Sequence, residues 1–251
     1  TGGSDFDNTA ATLNFVGTSG ETHQFTVTTT DDTLFEGPEN FTVNLSATNA
    51  LVVNTDTATG TIDDNDTPPP QVESVTFDDG SGQRSAVRSI TVTFDTVVTA
   101  EEGAFVVTAA DGTPVTVIAD LSVVGGNKTQ AVLTFSGPLV DASGSLLDGN
   151  YTLTIVDTKI TDGSGNVLDG DGDGVAGAST VDSFFRLYGD ADGDRDVDLF
   201  DFATFRSSFG QSSGSPGYKA GMDQDGDGDI DLFDFAAFRN NFGAALPPAS
   251  S

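Results

Sequence analysis

Between residues 190 and 234 the chain sets aspartate at fixed intervals, twice. Counting from Asp190, Asp holds the first, third, fifth, seventh, ninth and twelfth places: Asp190, Asp192, Asp194, Asp196, Asp198 and Asp201. Counting from Asp223, it holds the same six: Asp223, Asp225, Asp227, Asp229, Asp231 and Asp234. The copies read DADGDRDVDLFDFATFRSSFG and DQDGDGDIDLFDFAAFRNNFG. Asp is a poor residue for helix interiors and a good one for turns and caps. Two carboxylates ~5 Å apart repel by roughly 3 kcal/mol at an effective dielectric of ~20. Several such pairs exceed the ~5 kcal/mol that holds a small domain together. Each stretch therefore splays open as a solvated acidic linker or closes around a cation, and a linker has no reason to repeat a twelve-place pattern.

Oxygen ligands at places one, three, five and twelve, a backbone carbonyl at seven and a water-mediated ninth place describe an EF-hand-type loop. Calcium suits it better than magnesium, because calcium accepts more protein oxygens in looser geometry. Gly228 fills the sixth place of the second loop, where the chain turns sharply; Arg195 stands there in the first, which weakens that site. Apolar residues follow at helical spacing: Leu199, Phe202, Phe205 and Phe209, then Leu232, Phe235, Phe238 and Phe242. Gly210 and Gly243 are stop signals. Neither short helix can bury its phenylalanine face alone, so the two are expected to pack together.

Residues 189–246 resemble a type I dockerin module: two duplicated loops, Asp at the twelfth place, one helix after each loop. The resemblance implies a cohesin-type partner and calcium-dependent binding. It also implies partner contacts at the tenth and eleventh places, Leu199 and Phe200 with Leu232 and Phe233, and at the later basic residues Arg206 and Arg239. Many cellulosomal dockerins carry small hydroxyl residues where this chain has the Leu–Phe pairs. Core packing is the alternative role for Phe200 and Phe233. The near-identity of the copies implies a two-fold-related surface, so that either copy can face a partner.

The rest of the chain reads as β-structure. In residues 12–66, TLNFVG, THQFTVTTT, NFTVNLSAT and ATGTIDD alternate with period two. With SDF, DDTLFEGPENF and IDDND around them, they resemble the later strands of a Calx-beta domain, an immunoglobulin-like sandwich. That resemblance implies calcium at one tip of the sandwich, on Asp5, Asp31, Asp32, Glu36, Glu39, Asp63 and Asp64; acidic turns that cap strands are the other reading. It also places the opening strands before Thr1, so the chain reads as a segment of something longer. TPPP at 67–70 marks a stiff linker. From 71 to 188, VESVTF, RSITVTFD, AFVVTAA, TPVTVIAD, QAVLTFS, NYTLTIV and DSFFRLYG suit a second sandwich. SITVTFDTVVT and YTLTI resemble bacterial Ig-like domains. Within it, Asp169, Asp171 and Asp173 alternate with glycine and offer a further cation loop, or a plain flexible turn; the twelfth place there is Thr180, not an acid.

The expected architecture is thus mostly β: an incomplete Calx-beta sandwich over 1–66, the linker, an Ig-like sandwich over 71–188, a small all-α dockerin-like module over 189–246, and a tail over 247–251. Of 251 residues 39 are acidic and 9 basic, a formal net charge of −30. Such a chain repels nucleic acid and anionic membrane surfaces. It has no run of the ~18 apolar residues that membrane insertion needs. With no Cys and one His, no thiolate site and no nucleophilic triad can be built. His23 reads as an exposed polar residue on a strand edge. No phosphate-binding loop and no Trp to stack on a sugar is present, so catalysis is not expected. The expectation is a calcium-binding segment of a secreted or cell-surface protein that mediates docking and adhesion, with calcium-dependent self-association a further option. The runner-up is the accessory tail of an extracellular hydrolase or protease whose catalytic domain lies upstream.

Overall fold

A computed structural model describes residues 5–32, 34–49 and 56–248. The start of the first expected domain, residues 50–55 and the last three residues of the tail lie outside them. The chain divides into two units, one ending at Pro68 and the other beginning at Pro69.

In the first unit, β1 (Glu39–Asn44) pairs antiparallel with β2 (Thr57–Ile62). Phe41 faces Gly60 across the ladder, and a Cβ on Gly60 would lie 2.3 Å from the Phe41 ring. Glycine is thus what lets the ring lie over the neighbouring strand. Among the described residues two of the four expected strands are absent. TLNFVG and THQFTVTTT form no ladder; only an isolated bridge joins Phe6 to Thr29. For TLNFVG a local competitor is present at its end. The Glu21 carboxylate accepts the amides of Val16 (3.0 Å) and Gly17 (3.0 Å), which a neighbouring strand would otherwise take. His23 Nε2 lies 2.8 Å from the same carboxylate, and its ring meets Phe15 edge-on at 4.4 Å.

The second unit is built on a seven-stranded sheet in the order β11–β9–β6–β7–β8–β4–β3. The strands are β3 (Val72–Phe77), β4 (Ser89–Phe94), β6 (Phe105–Ala109), β7 (Pro114–Val124), β8 (Lys128–Ser136), β9 (Gly149–Ile155) and β11 (Thr180–Arg186). Each of the seven expected strands appears. Two short ones, β5 (Val98–Ala100) and β10 (Ile160–Asp162), pair with each other. Alternation puts Ile90, Val92 and Phe94 of β4 and Leu133 of β8 inward, all fully buried, against Leu153 and Ile155 of β9. β7 folds the sheet over on itself. Its first residues pair with β6, and Thr116–Val124 pair with β8, so one strand serves both leaves of the sandwich.

The helices α1 (Leu199–Ser208) and α2 (Leu232–Asn241) lie in the same unit around a second core of Phe185, Leu187, Tyr188, Val197, Phe205, Met222, Ile230 and Phe238. They do pack together: the rings of Phe205 and Phe238 are 4.9 Å apart. The inward face differs from the expected one at both ends, since Phe209 and Phe242 are also exposed. Leu199 and Leu232 are 70% exposed, and the buried positions are Asp201, Phe205 and Ser208 in α1, Asp234 and Phe238 in α2. Each helix's buried stripe thus begins on the acid that closes its loop, which turns the preceding Leu outward.

The sandwich holds this helical module through polar contacts. Ser85 Oγ accepts from Gly189 N–H (2.8 Å) and donates to Gly221 O (2.6 Å). Asp148 accepts from Arg186 (2.6 Å) and Asn241 (2.8 Å). Arg186 also meets Asp141 (3.1 Å). Pro69 and Pro70 are buried in this unit, and the carbonyl of Pro70 accepts from Asp169 N–H (2.9 Å).

Candidate metal centres

The two duplicated loops have the same internal wiring. At the first place, Asp190 accepts from the amides of the fourth and sixth, Gly193 (2.5 Å) and Arg195 (3.0 Å). Asp223 accepts likewise from Gly226 (2.8 Å) and Gly228 (3.0 Å). At the twelfth place, Asp201 accepts from Ala191 (2.7 Å) and Asp198 (2.7 Å), and Asp234 from Gln224 (2.7 Å) and Asp231 (2.8 Å). The ninth place caps the helix: Asp198 and Asp231 each accept the amide two residues on, 2.6 Å away. Places nine and twelve therefore form a capping box, and closing the loop starts the helix. The Asp-x-x-Asp spacing carries that signal in the sequence, where the metal pattern overshadows it.

Carboxylate oxygens converge within each loop. Asp190, Asp192 and Asp194 bring theirs within 4.8 Å of one another, as do Asp196, Asp198 and Asp201, and Asp223, Asp225 and Asp234. At the seventh place Asp196 Oδ1 and Asp229 Oδ1 are buried without a hydrogen-bond partner. Burial, together with the charges of Asp201 and Asp194, pushes Asp190 up to about 6 against the amides that stabilise its charge. Burial and neighbouring aspartates also raise Asp196, Asp201, Asp229 and Asp234. Crowded carboxylates and orphaned oxygens are what a hard divalent cation relieves, and an all-oxygen donor set selects one.

The loop at 169–173 repeats part of this wiring. Buried Asp169 accepts from Gly172 (2.7 Å) and Gly174 (2.9 Å), its own fourth and sixth places. Asp171 and Asp173 are exposed, with oxygens within 4.8 Å of it. One feature separates it from the other loops: its twelfth place is Thr180, which donates to Gly170 O (3.1 Å). The Gln71 amide donates to Asp169 Oδ2 (2.6 Å). Burial pushes Asp169 up, but the amides of Gly174, Gly172 and Asp173 and the Gln71 side chain outweigh it and hold its carboxyl below the usual range. Its charge is already satisfied by the protein.

In the first unit, Asp5, Asp31, Asp32, Glu36, Glu39, Asp63 and Asp64 all line one pocket. Asp66, which the sequence reading passed over, lines it too. Asp64 accepts from Glu36 N–H (2.5 Å), and Asp31 from Asn65 (3.2 Å). Loss of water and the charges of Asp5, Asp32 and Glu39 raise Glu36; the same loss, with Asp64, Asp31 and Asp32, raises Asp66.

On the helices, Phe200 and Phe233 are 74% and 73% exposed, which removes core packing as their role. With Leu199 and Leu232 they form two matching apolar steps, and Arg206 and Arg239 are exposed farther along. Two residues of the loop surroundings escaped the sequence reading. The Tyr218 hydroxyl donates to Asp223 Oδ2 (2.6 Å), and Arg88 donates to the carbonyls of Ala220 (3.1 Å) and Asp223 (2.8 Å).

Among the described residues no helix is long and apolar enough to cross a membrane. No curated protein matches the chain. Residues 1–66 match the Calx-beta domain, a type associated with calcium binding, and residues 66–179 match the bacterial Ig-like domain; neither match reaches the two helices. Both types fit proteins of the cell exterior. The chain thus carries a stretch similar to a Calx-beta domain and a longer one similar to a bacterial Ig-like domain, with a small helical part at its C-terminal end.

Proposed function

We propose that this segment is a non-catalytic, calcium-dependent docking piece of a secreted or cell-surface protein, with a cohesin-type domain as the partner of its helical module. The observation that carries the reading is the pair of exposed Leu–Phe steps at the first turn of each helix. A chain that exposes two phenylalanines at equivalent places keeps them for contact, since aromatic anchors dominate binding energy at interfaces. Each step follows directly on the capping box of an acidic loop. Calcium that fixes the loop would also fix the step, so binding would follow the metal. The Calx-beta and Ig-like domains would act as the stalk on which the module is carried, and the tip pocket of the first unit would hold further calcium.

The test immobilises a panel of purified cohesin domains and flows the full chain over them in calcium and in chelator. Binding in calcium alone, lost in a Phe200→Ala/Phe233→Ala double variant, is the expected result. A calcium-loaded, folded chain that binds no cohesin overturns the partner assignment. Calcium-dependent dimers of the chain, removed by the same double variant, would reassign the steps to self-association.

A further inference from the structure

Loop one breaks the glycine preference at its sixth place. Arg195 adopts φ 80°, close to the 93° of Gly228 at the equivalent place of loop two. A left-handed conformation is strained for a residue with a side chain, so something must hold it. The backbone of Arg195 works for the loop: its N–H donates to Asp190 Oδ2 (3.0 Å), and its carbonyl accepts from Leu246 (2.9 Å). The side chain works for the sandwich. Its guanidinium lies 4.1 Å over the Phe185 ring of β11 and donates to Asn150 Oδ1 of β9 (2.9 Å) and to Pro247 O (3.0 Å). Asn150 donates to the same Pro247 carbonyl (3.1 Å). Loop two repeats the backbone part, since Gly228 N–H donates to Asp223 Oδ2 (3.0 Å) and its carbonyl accepts from Ser213 (2.7 Å), but it has no side chain there to grip the sandwich.

We propose that Arg195 is a positioning residue that couples calcium binding at loop one to the seating of the helical module on the Ig-like sandwich. The inference rests on loop one being a calcium site. One residue presents the amide that orients the first ligand and grips two strands of the neighbouring sandwich. Gripping the strands holds the loop in its cation-ready form. By linkage, calcium in the loop tightens the grip to the same degree.

Hydrogen exchange of the full chain across a calcium titration tests this, because it reads loop one (190–201), loop two (223–234) and β9 (149–155) separately. In the wild type, calcium is expected to protect both loops and β9. Arg195→Ala is expected to raise the calcium midpoint of loop one about tenfold, to uncouple β9 from calcium and to leave loop two unchanged. Asn150→Ala, which leaves the loop intact, is expected to shift loop one in the same direction by less. Arg195→Gly separates the grip from the strain: it should also weaken loop one. A glycine variant that binds more tightly than the wild type, with Asn150→Ala unchanged, overturns the coupling while leaving the calcium site standing. A wild-type loop one that calcium does not protect removes the calcium reading itself.

Discussion

Asp190 serves two conditions that pull its proton in opposite directions. Without metal, burial and the charges of Asp201 and Asp194 raise it to about 6, from 3.8 in the unfolded chain. A folded value above the unfolded one means that protonation favours the fold. The contribution is complete below the unfolded value and is lost as pH rises through about 6. Asp196, Asp201, Asp229 and Asp234 are raised as well and act in the same sense. In chelator the helical module is therefore expected to become more stable as pH falls from about 7 to about 5. In calcium it is expected to become less stable over the same range, because protons compete with the ion. Melting curves followed by the helical circular dichroism signal check this, since both α-helices of the described residues belong to the module. Parallel slopes in the two conditions would mean that proton and metal do not share these carboxylates.

Within a single helix, α2, a buried ring and a presented one stand five positions apart. Phe238 is 1% exposed and packs on Phe205; Phe233 is 73% exposed. Phe238→Ala is expected to cost about 3–5 kcal/mol, most of what a small module has. Phe233→Ala is expected to stay within about 0.5 kcal/mol. Denaturant titration of the two variants in calcium distinguishes them, and equal losses would put Phe233 in the core. How far each element could be read from sequence follows from whether its signal is local. Period-two runs found β3, β4, β6, β7, β8, β9 and β11, because alternation alone decides which side faces a sandwich core. β5 and β10 were invisible, at three residues each, since no periodicity fits in so short a run. Apolar spacing found both helices but started their buried stripe on Leu199 and Leu232, because it gives no weight to a buried acid such as Asp201. TLNFVG alternates well and still forms no ladder; Glu21 holds the amides of its last two residues, Val16 and Gly17. The Calx-beta resemblance names seven acids that line one pocket in the first unit, yet the reach of Arg195 to Asn150 depends on how the sandwich closes, which no local pattern encodes.

At the scale of the second unit, two cores share one body, and polar contacts at Ser85 and Asp148 join them. The sharing of β7 between both leaves has a consequence for the order in which the sandwich assembles. Strands β6, β7 and β8 are the one run of three consecutive strands that are also neighbours in the sheet. Closing their two hairpins costs less chain entropy than bringing β4 to β8 or β9 to β6 across the intervening strands. This meander is thus expected to form the folding nucleus, with each leaf growing outward from β7 and the edges β3 and β11 arriving last. Truncation at Val115 or Leu133 should then slow folding, whereas truncation at Val75 or Phe184 should mainly speed unfolding. Stopped-flow chevrons of the four variants would decide it; a slowed folding limb for the edge variants would place the nucleus elsewhere. A strand that belongs to both leaves leaves neither of them a separate beginning.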